Sequence, residues 1–413
     1  MSNRTYDITI FGATGFVGTL TAEYLAQHAP ADVRIALAGR NEAKLEKARA
    51  TIAEETGKSE VLSWPLVVAD SSDASSVSTM ASSTRVVITT VGPYAKYGKA
   101  LAHACAEHGT HYVDLCGEVL FMRESIDGND ELAKSTGARI IHACGFDSVP
   151  SDIGMFLLHE QAQKLGSPLK EATMLVKMKG GLSGGTIDSM RNQVQVAADD
   201  REAARTLMSP YSLSPDHSKE PDLGQQADFG IIKTEDVGAK PGWAGPFMMA
   251  GCNTRVVRRS NALQDYAYGS SLKYSEYQLM GTGLKGRATA LALAGGMGMA
   301  FKLLTVDKLR GVLSRWVPEP GEGPSKEERE SGFFRTTHYG LTESGQQVTA
   351  TVENQGDPGY KSTALMLSEA ALTLAGDQDT LPGSGGVLTP ATGLGAPYVA
   401  RLRNAGMTLT AQG

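Results

Sequence analysis

The sequence predicts an α/β chain in two parts: a parallel sheet wound on both faces by helices, then an α+β part on a mainly antiparallel sheet. Three observations predict it. Strand-like and helix-like patterns alternate through the first 165 residues; a glycine-rich turn joins the first strand to the first helix; and after Pro150 the rhythm changes to strands with one wet face.

Short apolar runs at 6–11, 33–38, 62–68, 86–90, 112–115 and 139–143 read as the strands of the first part. Amphipathic stretches such as 41–56 and 96–108 lie between them, as right-handed crossovers require. In the second part, 171–179, 266–277, 333–342 and 347–353 alternate apolar and polar residues. The proline-bearing stretch 209–226 and the charged stretch 318–330 read as surface excursions. Helical periodicity resumes over 362–375 and 393–404. The expected organisation is a first domain over 1–150, a second over 151–355, and a tail, 356–413, that returns to complete the first.

The turn at 12–18 carries the chemistry. Gly12, Ala13, Thr14, Gly15, Phe16, Val17 and Gly18 follow the strand directly and open a helix expected over 19–27. Gly12 permits the tight turn, Gly15 lets backbone approach a pyrophosphate, and Gly18 lets the helix pack closely on the sheet. A helix N-terminus there offers unpaired N–H groups to phosphate oxygens. In that strand–turn–helix context the pattern indicates a dinucleotide-binding domain of Rossmann type. The second strand ends in Gly39, Arg40 and Asn41, with no acid to accept from a ribose 2′-hydroxyl. A guanidinium suits a 2′-phosphate instead, so the expected cofactor is NADP. Asp70 and Ser71 at the third strand end, and Val91, Gly92 and Pro93 at the fourth, should line the same cleft; Asp70 reads equally well as a helix cap.

Composition narrows the function. The chain has 413 residues and a formal charge of −6, which argues against a nucleic-acid partner. Its four cysteines form no CxxC or His/Cys cluster, so neither a metal site nor a disulfide framework is expected, and the reading is cytoplasmic. The apolar run 288–304 is short of a membrane span and is interrupted by Lys302. It reads as a buried or pocket-lining helix, with peripheral membrane contact as the alternative.

The segments 12–18 (GATGFVG), 38–41 (AGRN), 90–94 (TVGPY), 112–118 (YVDLCGE) and 144–152 (CGFDSVPSD) resemble the saccharopine dehydrogenase family. So do 180–186 (GGLSGGT), 253–260 (NTRVVRRS) and 385–392 (GGVLTPAT), which makes the chain similar to that family's mycobacterial trans-acting enoyl reductases over nearly its whole length. The resemblance implies NADPH-dependent reduction of a carbon–carbon double bond in an acyl or polyketide chain held on a synthase carrier, in lipid biosynthesis. Alternatives are a saccharopine-type amino-acid oxidoreductase and a non-catalytic NADP-binding redox sensor. Whether the chain forms a homo-oligomer is left open.

Enoyl reduction needs an oriented nicotinamide, exclusion of water and a proton at the α-carbon. The candidate catalytic residues are the Tyr94 phenol, Asp147 and Ser148, the last two reading equally as caps of a helix at 151–161. His142, inside an apolar strand, reads as a core histidine. Ser183 to Thr186 either closes over substrate or forms a strand-to-helix turn. Arg255, Arg258 and Arg259 read as a solvated helix face, or as a lure for a phosphopantetheine arm or acidic carrier.

Overall fold

The computed structural model describes residues 4–180, 184–224, 226, 228–304 and 323–413. Six strands open the chain: β1 (Tyr6–Phe11), β2 (Ile35–Gly39), β3 (Leu66–Val68), β4 (Thr84–Thr89), β5 (His111–Asp114) and β6 (Arg139–Ile141). They lie side by side in the order β6-β5-β4-β1-β2-β3, every pair parallel. Ile8, Ile10, Val86, Ile88 and Val113 are fully buried, as expected of strands covered on both faces. Helices Phe16–His28 and Thr363–Gly376 cover one face; helices Ala74–Ser83, Lys99–His108 and Val119–Thr136 cover the other. Leu367, Leu372 and Leu374 anchor the first layer, each worth about 2 kcal/mol of apolar burial.

The second part contributes β7 (Leu169–Lys179), β8 (Ile232–Lys233), β9 (Trp243–Pro246), β10 (Lys273–Gly281), β11 (Phe333–Thr342) and β12 (Gln347–Gln355). Two further strands come from the tail. β13 (Gly386–Leu388) pairs parallel with β6 in the first sheet, and β14 (Thr408–Gln412) pairs antiparallel with β12 in the second. The second sheet therefore runs β14-β12-β11-β7-β10-β9-β8, antiparallel except where β7 meets β10. β11 and β12 alternate buried and wetter residues, matching the period-2 pattern in the sequence.

Helix Val149–Lys164 leaves the first sheet and lies on β11, β12 and β14. Gly154 permits that approach: a Cβ there would stand 2.1 Å from the ring of the buried His338. Burial pushes the His338 imidazole down to about 4, so it packs as a neutral ring.

Three expectations need correcting. The strand expected at 266–277 starts only at Lys273, because Asp265 and Tyr266 adopt left-handed backbone (φ 50° and 60°) that a ladder cannot contain. The Asn261 side chain fixes that turn, accepting from the Tyr268 N–H and donating to Gly269 O, both at 2.9 Å. The stretch 209–226 is not all surface: Ser212, Leu213 and Ser214 are buried, held by arginines described below. Finally, helix Gly283–Leu304 is not enclosed, since Leu284, Leu291 and Met299 are 84%, 54% and 66% exposed. Among the described residues no helix is long and apolar enough to cross a membrane.

Candidate active site

The C-terminal ends of the parallel strands share one edge, and the turn after β1 forms its floor. Gly12 has φ +93°, and a Cβ there would sit 2.7 Å from Thr90 Oγ1 and 2.9 Å from Val91 Cγ2. A Cβ on Gly18 would collide with Gly12 O at 2.1 Å. The first intrahelical bond of Phe16–His28 runs from the Thr19 N–H to Gly15 O (2.8 Å), and no side chain caps the helix. The amides of Phe16, Val17 and Gly18 therefore precede the ladder, in a concavity only glycine permits. Ala13 is buried beneath the turn, while Thr14 and Gly15 are exposed at its rim. These residues fit a pyrophosphate. Phe16 is packed edge-to-face against Tyr360 (5.0 Å), and the Arg329 guanidinium lies 5.2 Å from its ring.

Arg40 is exposed just beyond β2, where a 2′-phosphate would be met. Asn41 caps helix Glu42–Thr56 by accepting from the Lys44 N–H at 2.9 Å. Asp70 organises a local turn, accepting from Ser72 N–H (2.9 Å) and Ser72 Oγ–H (2.8 Å). Those bonds, then the nearby Arg40 charge, hold its carboxyl below the usual range. Asp73 is the residue that caps helix Ala74–Ser83. Ser71, Val91 and Pro93 are half-buried at neighbouring strand ends, and Gly92 is exposed. The structure thus gathers all the sequence-derived cofactor residues along one edge.

The three catalytic candidates separate. The Tyr94 phenol is 3% exposed, donates to Thr89 O (3.1 Å) and accepts from the Leu115 N–H (3.4 Å). Burial, with Asp114 beside it, raises this phenol well above its ordinary value. Its proton is therefore committed to the interior, which contradicts an outward-facing donor. Ser148 is fully buried and does not cap helix Val149–Lys164; its hydroxyl donates to Asn253 Oδ1 at 3.1 Å. Asn253 donates to Glu276 Oε2 (2.9 Å), whose other oxygen accepts from Tyr274 (2.8 Å). Burial pushes Glu276 up to about 7, so Ser148 belongs to a buried polar chain linking the two sheets.

Asp147 is different. It is 8% exposed, and burial, then the Asp114 charge, pushes it up to about 7. Its Oδ1 lies 3.8 Å from where a Gly117 Cβ would stand, and Met249 Cε lies 3.5 Å from the same point. Phe146 and Phe247 meet edge-to-face nearby, ring centroids 6.4 Å apart. Such a carboxyl exchanges a proton around neutral pH beside apolar side chains.

His142 is a satisfied core residue, bonded to Asp114 Oδ2 (2.7 Å) and Ser125 Oγ (2.9 Å). The arginine run is neither a solvated face nor a lure. Arg255, Arg258 and Arg259 are 5%, 6% and 2% exposed. Arg255 pairs with Asp228. Arg258 donates to Pro210 O (3.2 Å) and Tyr274 O (3.0 Å), and Arg259 to Leu213 O (2.7 Å) and Val387 O. Burial pushes both Arg258 and Arg259 down to about 10, still charged at neutral pH. These bonds are what bury the start of the 209–226 stretch.

One group escaped the sequence reading. Glu118 is fully buried and accepts from the Tyr94 N–H (2.8 Å), the Ala95 N–H (3.0 Å) and Ser189 Oγ (2.7 Å). Gln193 adds a bond to Gly117 O (3.2 Å) and one from the Leu120 N–H (3.4 Å). Helix Gly184–Asp199 is thereby fastened over the loop after β5. Glu118 closes the YVDLCGE segment, but nothing local marks it as a bridge. Ser183, expected to close over substrate or form a turn, lies outside the described residues with Gly181 and Leu182, as do 318–322 of the charged stretch. Among the described residues no cluster of His, Cys, Asp and Glu could hold a metal.

The chain is similar to known proteins along nearly its whole length. Residues 8–141 match the saccharopine dehydrogenase NADP-binding domain. The chain is 41% identical to a trans-acting enoyl reductase of Mycobacterium ulcerans over 419 residues, covering 99% of this chain and 98% of that one. A Mycobacterium tuberculosis protein that bears the same name provisionally is 44% identical over 414 residues, 98% of this chain and 97% of its own. Among solved structures, yeast saccharopine dehydrogenase from Saccharomyces cerevisiae (TM-score 0.55, 14% identity, 98% of this chain and 99% of that one) has a similar fold. So has a homospermidine synthase of Legionella pneumophila in complex with NAD (TM-score 0.52, 10% identity, 98% and 91%).

Proposed function

The chain belongs to the saccharopine dehydrogenase family, on its trans-acting enoyl reductase branch, and from that premise we propose that it reduces a carbon–carbon double bond in an acyl or polyketide thioester. It is an NADP-dependent oxidoreductase, and the carrier-bound form of the substrate is part of the proposal. When bound, NADPH supplies the hydride that adds to the β-carbon. The electron pair of the double bond then moves onto the thioester oxygen as an enolate, and a proton must reach the α-carbon.

In this reading the amides of Phe16, Val17 and Gly18 hold the pyrophosphate and Arg40 takes the 2′-phosphate. Asp147 holds the proton on its carboxyl and delivers it to the α-carbon. Phe146, Phe247 and Met249 exclude water from the developing enolate. Glu118, through Ser189, keeps helix Gly184–Asp199 down over the loop. Ser148 and Tyr94 position their segments and transfer no proton.

The observation that carries this reading is Asp147, a nearly buried carboxyl raised to about 7 between apolar side chains. A saccharopine-type reaction would need cations gripping two carboxylates, and Arg255, Arg258 and Arg259 are all bonded inward. The test is deuteride transfer from 4-deuterated NADPH to a series of enoyl thioesters, read by mass spectrometry at the β-carbon. Stereospecific transfer is expected; absence of label across the series, with NADPH still bound, would sink the reading.

A further inference from the structure

Helix Gly283–Leu304 is mostly apolar, yet among the described residues only one of its sides is covered. Its inner seam is Gly286, Ala290, Leu293, Ala294 and Met297. Ala290 is fully buried against Gly245 of β9, whose Cβ would stand 3.3 Å from the Ala290 backbone. The outer seam, spaced at helical period, is Leu284, Ala288, Leu291, Ala292, Gly295 and Met299, all exposed. Over the 16 residues from Leu284 to Met299 this strip runs about 22 Å. A contiguous exposed apolar seam of this length is ordinarily covered by protein or lipid.

Charge decides what encloses this one. The helix carries Lys285, Arg287 and Lys302 and no acid, in a chain whose formal charge is −6. Lys285 and Arg287 are exposed beside the strip, and the Arg287 guanidinium lies 5.4 Å from the Trp243 ring, an aromatic–cation pair suited to a headgroup layer. A second copy of the chain would answer the apolar strip but not the cations. Pairing in either direction brings no acid of this helix opposite Lys285 and Arg287, since the helix has none. An anionic bilayer surface answers both features at once.

We propose that the outer face of helix Gly283–Leu304 seats the protein peripherally on an anionic lipid surface, a property independent of the reaction at the cofactor edge. The full chain is tested by co-sedimentation with vesicles of phosphatidylglycerol and phosphatidylcholine in equal parts, and with phosphatidylcholine alone. Binding to the mixed vesicles, weakened by added salt and at least about tenfold stronger than to phosphatidylcholine, is expected. Lys285→Glu/Arg287→Glu should cut partitioning by about tenfold or more, and Leu291→Glu should abolish it. Both variants alter exposed positions, so circular dichroism and NADPH affinity should stay at the wild-type level. No binding to mixed vesicles, or binding undiminished in both variants, overturns the proposal. So does a wild-type dimer in sedimentation velocity that Leu291→Glu dissociates while no vesicle binding is seen, or capture of an acidic carrier protein by this face without vesicle binding.

Discussion

Among the described residues both sheets have seven strands, but they contribute to the site in opposite ways. The first is parallel throughout, so its C-terminal strand ends line up and backbone does the work: turns, free amides and glycines without side chains. The second is mostly antiparallel and offers no such edge. It gives the site buried side chains instead, Asn253 and Glu276 behind Ser148 and the Phe247–Met249 wall beside Asp147. Backbone features are encoded within a few residues, whereas a buried carboxyl acquires its proton affinity from whatever the whole fold packs around it.

That contrast can be broken or sharpened by substitution. The largest effect is expected at Gly18→Ala, whose Cβ would meet Gly12 O at 2.1 Å. Displacing the turn should weaken NADPH binding on the order of 100-fold or more, read by fluorescence titration, with the second sheet's fold intact. Asp147→Asn should leave NADPH affinity unchanged and lower kcat by about 100-fold. Because the protonated acid is the active form and its pKa is raised to about 7, wild-type kcat should fall as pH rises through that value. The variant should lose this limb, and a steep limb persisting in Asp147→Asn would remove Asp147 from proton transfer.

Smaller effects follow at the rim. Arg40→Ala should reduce the preference for NADPH over NADH about tenfold, measured as the ratio of kcat/KM for the two cofactors. Ser189→Ala removes one bond of the fastening on Glu118. It should raise the acyl-substrate KM severalfold with NADPH affinity unaltered, since one hydrogen bond is worth about 1 kcal/mol. If Ser189→Ala instead weakened NADPH binding alone, helix Gly184–Asp199 would belong with the cofactor edge rather than the acyl side.

What could be read before the structure follows the same division. β1 and β11 start and stop where the apolar pattern places them, because alternation and turn residues are local. The collapse of 12–18 into a phosphate cradle is equally local. Arg258 and Arg259 show the opposite case. Three cations on one helix look solvated by composition, yet carbonyls of Pro210, Leu213, Tyr274 and Val387 wait for Arg258 and Arg259 across the fold. Tyr94 deceives for a related reason: its motif fixes the turn, but the phenol's acceptor, Thr89 O, is set by how the turn folds back. Glu118 carries no local signal because its partner Ser189 is on another part of the chain. The exposure of Leu291 could not be read either, since apolar sequence alone does not say which side is covered.

The two strands of the tail carry a consequence for how the protein comes to exist. β6 presents an open edge until β13 arrives beside it, and β12 does so until β14 arrives. During synthesis the parallel sheet is therefore translated almost complete, then waits for nearly the entire remaining chain before Gly386 reaches Arg139. Unpaired edges recruit other chains, so until the tail is made the nascent chain exposes strand edges on which other chains could pair.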